Sequence, residues 1–386
     1  ASGLEPPEVA NWLSFACGAM TLACIARLVM TMRIPTRAER LRPYALAFVL
    51  VGTLTNRTFL AWLSSGLETA LCNMLITAWI LSVFGAAEKR VRPFVPVLCA
   101  SLLALARPDG LLYVAATLAM MVLTPLLGEG KLAWRSVWPV ALVALHFAFR
   151  LSTYHDLLPN TYYAKHAGAW PESGLRYLAA FALEYGFWVW FLLLLGCARF
   201  AFVSLRERGA RRFLARELPL LTVVCTLAAQ AGYYTLIIGG DHFEFRVYSQ
   251  LVPLLYVSFV WLCAWLPVHG ALFHVLCLAQ LVFGLPIPWL HWWKTHDLTT
   301  RAETHVMRVH VADDLPFLFA PLGQAWDTLE DWLIEHHVGM RHQEHKVLCD
   351  TQLAIFPPRD ENLRMSWDER VVIAEYAVGV VGWRVP

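Results

Sequence analysis

Ten long apolar segments are the feature that most constrains this chain of 386 residues. A helix needs about 20 mostly apolar residues to cross the hydrocarbon core of a bilayer. A soluble domain of this size has no means of burying so many, and it carries about 25% charged residues, against 16% in this chain. We therefore predict a mainly α, polytopic bundle of transmembrane helices, with spans near residues 9–32, 43–62, 68–87, 91–106, 111–127, 136–150, 177–200, 217–238, 247–265 and 270–290.

The basic residues of the connecting loops predict the orientation of this bundle. Loops that face the cytoplasm carry an excess of Lys and Arg. One set of loops holds fifteen such residues and the alternate set holds five, so we place the first set in the cytoplasm. With ten spans, both Ala1 and the C-terminal segment are then expected outside.

Composition divides the chain near residue 290. Residues 291–386 hold 15 of the 29 acidic residues and 8 of the 14 His. Helical periodicity appears at 324–337, and the runs KVLCD, QLAIF and YAVGVVGW are typical of short strands. We expect a transmembrane domain over residues 1–290 and a small external α/β region over 291–386. Both ends are expected to be cut, with at least one helix missing upstream and the external region incomplete.

Charge and cysteine placement exclude several classes of function. A net charge of +2 provides no general basic field for nucleic acid. Eight of the nine Cys lie inside apolar segments, which argues against a disulfide framework or a thiolate metal site. His336, His337, His342 and His345, with Cys349, match no strong zinc spacing, so we predict no metal site.

Four polar clusters lie at the ends of spans, on the face opposite the basic loops. They are SSGLE at 64–68, RPDG at 107–110, YHDLLPNTYYAK at 154–165 and GGDHFEFR at 239–246. Ionisable groups near the membrane usually face a cavity or pair with each other. Carboxylates, cations and aromatic rings on one face therefore indicate a site for a charged, sugar-like or phosphate-bearing ligand.

Each cluster also has a purely structural explanation. RPDG is typical of a tight turn, and Arg107 can snorkel to the membrane interface. A carboxylate such as Glu68 is favourable at a helix start, and Asp156 and Asn160 flank turns. The double glycine before Asp241 is harder to explain in this way, because it interrupts an apolar run and delivers Asp, His, Glu and Arg together.

The motifs SSGLETAL, ALARPDGLLY, YHDLLPNTYYAK and GGDHFEFRVYSQLVPLL occur in the order seen in bacterial glycosyltransferases of the GT-C superfamily. Over roughly residues 5–260, the chain resembles the terminal arabinofuranosyltransferases of mycobacterial envelopes and their relatives known as flagellar motor control proteins. The resemblance implies a multi-pass enzyme of the bacterial inner membrane with an external active face. Such enzymes pass a sugar from a polyprenyl-phosphate carrier, which is a co-substrate and not a cofactor, to a glycan, lipid or protein acceptor.

The resemblance also implies roles for residues of this chain. The main acidic residue of the family lies in a first external loop that this sequence lacks, so Asp241, Glu68 and Asp109 are expected to support catalysis. Cations near the leaving phosphate stabilise its developing charge. The expected donor-binding residues are Arg246, His242, Arg107, Lys165, Asn160, Tyr162 and Tyr163. The apolar surfaces of 217–238 and 247–265 are expected to form either a groove for the polyprenyl chain or packed core.

Two other functions stay open at this level. A transporter or flippase for an envelope lipid or glycan also gathers polar residues, but nearer the bilayer centre and often with inverted repeats or broken helices. A non-catalytic GT-C-like envelope or motility factor would share the fold without the acidic loop. Polar clusters at span ends, with no visible repeat, favour the enzyme over the transporter.

Overall fold

The computed structural model describes residues 6–157, 168–266, 268, 270–304, 308–341, 343, 346–347, 350–351 and 354. Over these residues the chain is helical and contains no strand, and one isolated parallel bridge joins Phe243 to Met340. The mainly α fold class is therefore confirmed for this part of the chain.

The helices follow one another with short connections. In chain order they are α1 Pro6–Thr31, α2 Arg42–Leu54, α3 Arg57–Leu63, α4 Thr69–Ala87, α5 Phe94–Ala106, α6 Leu111–Leu126, α7 Val140–Tyr154, α8 Pro171–Glu184, α9 Trp188–Arg208, α10 Ala210–Gly232, α11 Leu251–Trp265, α12 Gly270–Gly284, α13 Pro286–Thr295, α14 Arg301–Thr304 and α15 Ala320–Glu335. Short 3-10 helices lie at Thr36–Leu41, Pro108–Gly110, Trp134–Val137, Arg246–Tyr248 and Ala312–Asp314, and a π-helix covers Tyr233–Ile238.

Between six and eight of the described helices can cross a membrane by length and composition. Six do so as single helical stretches: Val9–Thr31, Thr69–Ala87, Pro108–Leu126, Trp134–Tyr154, Ala210–Ile238 and Gly270–Thr295. Two bent pairs add two spans if each pair is one span, α2 with α3 at 66° and α8 with α9 at 97°. The apolar helices α5 and α11 are shorter. Every segment predicted as a span is thus mainly helical, with breaks at 55–56 and 185–187, while the count of ten stays a prediction.

Each of the two bends has a local cause, and a hydrogen bond of Tyr185 connects them. Asn56 begins α3, because its side-chain oxygen accepts the backbone N–H of Phe59 at 2.9 Å, a typical helix N-cap. The turn between α8 and α9 contains Tyr185, whose hydroxyl accepts the Thr58 backbone N–H at 3.0 Å. The side chain of Gln280 donates to the Tyr185 carbonyl at 2.8 Å. These buried bonds satisfy backbone groups that a break in a membrane helix would leave unpaired.

Contacts divide the chain into two compact units. The first comprises Ala1–Asp241 and Phe245–Pro286, and the second comprises His242–Glu244 and Ile287–Pro386. In the second unit, α15 covers most of the segment where helical periodicity was predicted. The carboxylate of Asp327 on this helix accepts the backbone N–H groups of Val311 and Ala312 at 2.9 and 3.1 Å.

A buried ion-pair cluster joins three parts of the second unit. The guanidinium of Arg341 binds Glu244 and Glu330 at 2.9 Å each, and all three side chains are at most 7% exposed. The same guanidinium lies 5.0 Å from the ring centroid of the fully buried Trp326. One cation therefore lies between two buried carboxylates, so its removal would leave both of them without this counter-ion.

The predicted strand at KVLCD differs from the structure. Lys346, Val347, Asp350 and Thr351 are helical. An apolar run of this length does not distinguish a strand from a buried helical turn, so the sequence pattern alone was insufficient. The run YAVGVVGW lies outside the described residues.

Candidate functional site

The RPDG motif forms the turn between α5 and α6. Arg107 ends α5 in an extended conformation, and Pro108–Gly110 makes a single 3-10 turn. The turn closes through a hydrogen bond from the N–H of Gly110 to the carbonyl of Arg107 at 2.9 Å. The structural explanation of this motif is therefore correct, but the same turn also brings the two charged side chains together.

Asp109 is the centre of a buried polar network. Its carboxylate accepts hydrogen bonds from Arg107 Nε at 3.1 Å, Gln230 Nε2 at 2.8 Å and the Tyr234 hydroxyl at 3.1 Å. Arg107 also donates to the Tyr234 hydroxyl and lies 5.6 Å from the centroid of that ring. The Arg107 and Asp109 side chains are 16% and 15% exposed. Such shielding from water strengthens charge-assisted hydrogen bonds.

The network continues into the helix bundle through Gln230. Its side-chain oxygen accepts the hydroxyl of Tyr113 at 2.6 Å and the amide of Gln250 at 3.4 Å. The indole of Trp79 donates to the Thr117 hydroxyl at 2.8 Å, and that hydroxyl donates to the Tyr113 carbonyl at 2.6 Å. Polar groups of α4, α6, α10 and the start of α11 are therefore linked through one buried cluster.

Sequence reasoning missed Gln230 and Tyr234. Both lie within an apolar helical stretch, whereas the predicted site residues belong to polar clusters at the ends of spans. Their spacing of four residues puts both side chains on the same helix face, toward Asp109. An amide inside a candidate span is itself a signal, because polar side chains there usually bind another helix.

A π-helix positions Tyr234 and leads the chain into the next ion pair. Tyr233–Ile238 continues α10 as a π-helix, a rare form that is frequent at functional sites. It ends at Gly239 and Gly240, whose φ angles of 85° and 101° suit glycine. The N–H of Gly240 returns to the carbonyl of Tyr234 at 2.8 Å. The double glycine thus turns the chain from the Asp109 network directly into Asp241.

Asp241 and Arg246 form a second, two-point ion pair. Arg246 Nε and Nη2 lie 2.7 and 3.3 Å from the two carboxylate oxygens of Asp241, and the Asp241 and Arg246 side chains are 11% and 16% exposed, respectively. Phe245 has a φ of 41°, which is unusual for a bulky residue. Its buried ring packs 5.0 Å from Tyr177 and 5.3 Å from Phe181, centroid to centroid. This packing holds the strained backbone that precedes Arg246.

The structure brings several of the predicted site residues together in pairs. Arg107 pairs with Asp109, and Arg246 pairs with Asp241. Glu68 is exposed at the start of α4, makes no capping hydrogen bond, and lies within electrostatic range of Arg107. The segment 233–241 links the two pairs, since Tyr234 contacts the first and Asp241 belongs to the second.

His242 of the GGDHFEFR motif is assigned to the second unit, whereas Asp241 before it and Arg246 after it are assigned to the first. It belongs to the second unit, where its Nδ1 lies 2.9 Å from the carbonyl of His337. The backbone explains the difference: the Met340 N–H donates to the His242 carbonyl at 2.7 Å, and the Glu244 N–H donates to the Met340 carbonyl at 2.9 Å. Residues close in sequence are therefore held in different units.

The remaining predicted donor-binding residues lie outside the described residues; they are Lys165, Asn160, Tyr162 and Tyr163. His342, His345 and Cys349 also lie outside them. Within the described part of the chain, no group of three or more His, Cys, Asp or Glu side chains has a metal-binding arrangement.

A large cavity lies within the first unit. Its volume is about 1590 Å³, beyond the range of roughly 300–1,000 Å³ usual for small-molecule sites. The two segments expected to form a lipid groove supply walls from Glu217 to Ala231 and from Leu251 to Trp265. The walls drawn from the described residues include neither ion pair. The walls do include Ala231 and Leu251, which directly follow Gln230 and Gln250 of the Asp109 network.

The comparisons with other proteins decide nothing further. No match to this chain was found among protein-family models, curated proteins or solved structures. Support for any function must therefore come from the residues and their geometry.

Proposed function

We propose that this chain is a membrane glycosyltransferase that moves a sugar from a polyprenyl-phosphate-linked donor to a cell-envelope glycan, lipid or protein. The observation that carries the proposal is that two shielded arginine–carboxylate pairs are connected by one π-helical segment, which contacts the first pair through Tyr234 and leads into the second at Asp241. The reaction would take place at the external face of a bacterial inner membrane, opposite the basic loops. The proposal includes ten spans, with the shorter α5 and α11 crossing as well.

The two arginines suit the chemistry of a leaving phosphate. Cleavage of a sugar–phosphate bond develops negative charge on the phosphate and positive charge on the sugar. Arg107 and Arg246 are each held by a carboxylate in a fixed orientation, which lowers the cost of reorganisation when that charge appears. A guanidinium also offers two parallel donors, which suits phosphate oxygens better than an ammonium does.

The paired carboxylates have a supporting role in this scheme. Asp109 and Asp241 orient the guanidiniums and have lone pairs left for sugar hydroxyls. Glu68, which is exposed near Arg107, is a further contact for the sugar. None of these three carboxylates is proposed as the general base that activates the acceptor hydroxyl.

The apolar cavity supports a lipid-linked donor. Its walls include Ala231 and Leu251, which directly follow the network residues Gln230 and Gln250 in sequence. A prenyl chain lying against this end of α10 and α11 would keep its phosphate near the polar network. Long apolar chains need such a surface, whereas a soluble nucleotide sugar does not.

A transporter or flippase is the second candidate, because two of the predicted spans are bent. Bends of 66° and 97° resemble the discontinuous helices of transporters. Transporter sites usually combine such helices with a polar site at the bilayer centre. Here, the described walls of the large cavity are mainly apolar, which favours the enzyme.

Donor transfer by the full-length protein in nanodiscs tests the proposal. We would incubate it with a panel of radiolabelled polyprenyl-phosphate sugars and compare wild type with Arg246→Ala, Arg246→Lys and Asp241→Ala. Transfer or donor hydrolysis should fall about 10²-fold in Arg246→Ala, the usual effect of losing one charge-stabilising donor. Arg246→Lys should recover only part of it, because a lysine keeps the charge without the two-point geometry.

Glu172→Gln is the matched control, since Glu172 forms an exposed ion pair with Arg176 on α8. It should retain wild-type transfer. If no donor is bound or transferred and all variants behave alike, the ion pairs are structural. The transporter and the non-catalytic envelope factor then become the better explanations.

A further inference from the structure

The ionisable residues in the walls of the large cavity lie at one end of the cavity. Among the described wall residues, three are acidic, namely Glu88, Glu129 and Glu217, and six are basic, namely Arg27, Arg33, Lys89, Arg90, Lys131 and Arg216. We call these nine residues the basic rim. The rim has a net charge of +3.

The basic rim lies at the opposite end of the helices from the Asp109 network. In α10, Arg216 of the rim precedes Gln230 of the network by 14 residues, which is about 21 Å along a helix axis. The helix α4 runs in the same way. Asn73, near the start of α4, accepts a hydrogen bond from Ser249, and Glu88 of the rim directly follows the end of α4. The helices α6 and α11 likewise begin at the network and end toward the rim.

The walls between these ends are mainly aliphatic and aromatic. Phe181, Trp190, Leu254 and Trp261 are among them. At the network end the walls include Leu178, Ala231 and Leu251, none of which carries a charge. An anionic amphiphile in this cavity would therefore find its cations only at the basic rim.

Lys89 provides an independent sign that the rim has a role. It follows the end of α4 with a φ of 58°, a left-handed conformation that usually belongs to glycine or asparagine at a helix C-terminus. The N–H groups of Arg90 and Val91 return to the Gly85 carbonyl at 2.8 and 3.2 Å, so the helix end itself is well formed. Lys89 therefore occupies a left-handed position that glycine adopts with less strain.

We propose that this cavity binds an anionic phospholipid from the leaflet beside the basic loops, with its phosphate at the basic rim and its acyl chains between the helices. Basic pockets between membrane helices recognise such headgroups. The walls include residues of α10 from Ala215 to Ala231, a length of about 24 Å along the helix axis. This exceeds the depth of one leaflet, which contributes about half of the roughly 30 Å hydrocarbon core. The proposal does not rest on the glycosyltransferase reaction, but its acyl chains would occupy the apolar space proposed above for the prenyl chain. The two lipids would therefore compete for the cavity, and they differ in the end that holds the phosphate, since the rim lies about 21 Å from the Asp109 network along α10.

Lipid binding to the purified, delipidated full chain tests the rim. Native mass spectrometry and thermal stabilisation would be measured with phosphatidylglycerol, phosphatidylcholine and undecaprenyl phosphate. Phosphatidylglycerol should bind best, and the double variant Lys89→Gln/Lys131→Gln should weaken it about tenfold or more. The matched control Arg40→Gln/Arg92→Gln removes two exposed cations of the basic loops that are outside the cavity walls, and it should bind within about twofold of wild type.

A second pair of variants tests the apolar part of the cavity without changing charge. Ala228 lies in the cavity walls, whereas the adjacent Ala229 is exposed and is not among them. Ala228→Trp should reduce phosphatidylglycerol retention, and Ala229→Trp should leave it unchanged.

Equal binding of phosphatidylcholine, equal losses in the rim and control variants, or binding of undecaprenyl phosphate alone would overturn the proposal. None of these variants alters Arg107, Asp109, Asp241 or Arg246. A negative result here therefore leaves the donor-transfer experiment to be judged separately.

Discussion

Replacing Asp109 by asparagine is the sharpest test of the buried network. The change keeps the size of the side chain and removes its charge. Three donors converge on the carboxylate, from Arg107, Gln230 and Tyr234. An amide has a single acceptor oxygen and its own N–H₂ group, so at least one donor would face another donor. Arg107 would also lose its counter-ion.

The contacts set the expected magnitude. A hydrogen bond to a charged group contributes about 1.5–3 kcal/mol, and an unsatisfied buried donor adds its desolvation cost. Arg107 keeps its bond to the Tyr234 hydroxyl, which offsets part of this loss. We therefore expect Asp109→Asn to lower the free energy of unfolding by about 2–4 kcal/mol.

Equilibrium unfolding of the full chain in mixed micelles, followed by tryptophan fluorescence, measures this loss. The control is Glu172→Gln, the same chemical change in an exposed pair whose atoms are 2.9 Å apart and whose side chains are 36% and 61% exposed. It should cost no more than about 0.5 kcal/mol. If both variants lose the same stability, the Asp109 network contributes no more than a surface ion pair, and our reasoning about it is wrong.

Three further predictions concern packing, the buried ion cluster and pH. Gly174→Ala should destabilise the fold by about 3 kcal/mol or more, because a Cβ would lie 1.7 Å from a backbone oxygen of the π-helix. In the same unfolding assay Gly232→Ala, which meets nothing within 4 Å, should be neutral or gain up to about 1 kcal/mol. Arg341→Met leaves two buried glutamates without their cation and should lower the free energy of unfolding by about 3–5 kcal/mol. The loss should be smaller in a triple variant in which apolar residues replace both glutamates as well. The pKa of Glu303 lies below its ordinary value because the hydroxyl and N–H of Thr300 donate to the carboxylate. The stabilisation of the folded state by ionised Glu303 is therefore complete above the unfolded pKa, and it disappears as the pH falls through the lower folded pKa. A carboxyl NMR titration of the wild type, with Glu303→Gln to assign the signal, would measure the folded pKa.

Local sequence patterns were sufficient to predict the helices and one turn. The apolar segments are helical because a backbone in lipid must satisfy its own hydrogen bonds, whatever the neighbouring segment does. The RPDG turn and the N-cap at Asn56 likewise depend on residues only a few positions apart. Features of this kind can be predicted from the order of residues alone.

Only the tertiary structure decided which polar groups meet. Gln230 reaches Asp109 across 121 residues of sequence, and no local pattern specifies that contact. Conversely, His242 is next to Asp241 in sequence but lies in another unit, because its backbone pairs with Met340. The reason is physical: a side chain at membrane depth pairs with whichever partner helix packing brings within hydrogen-bond distance. The sequence determined that this chain builds apolar helices with polar residues at their ends, and the packing of those helices determined which polar groups come into contact.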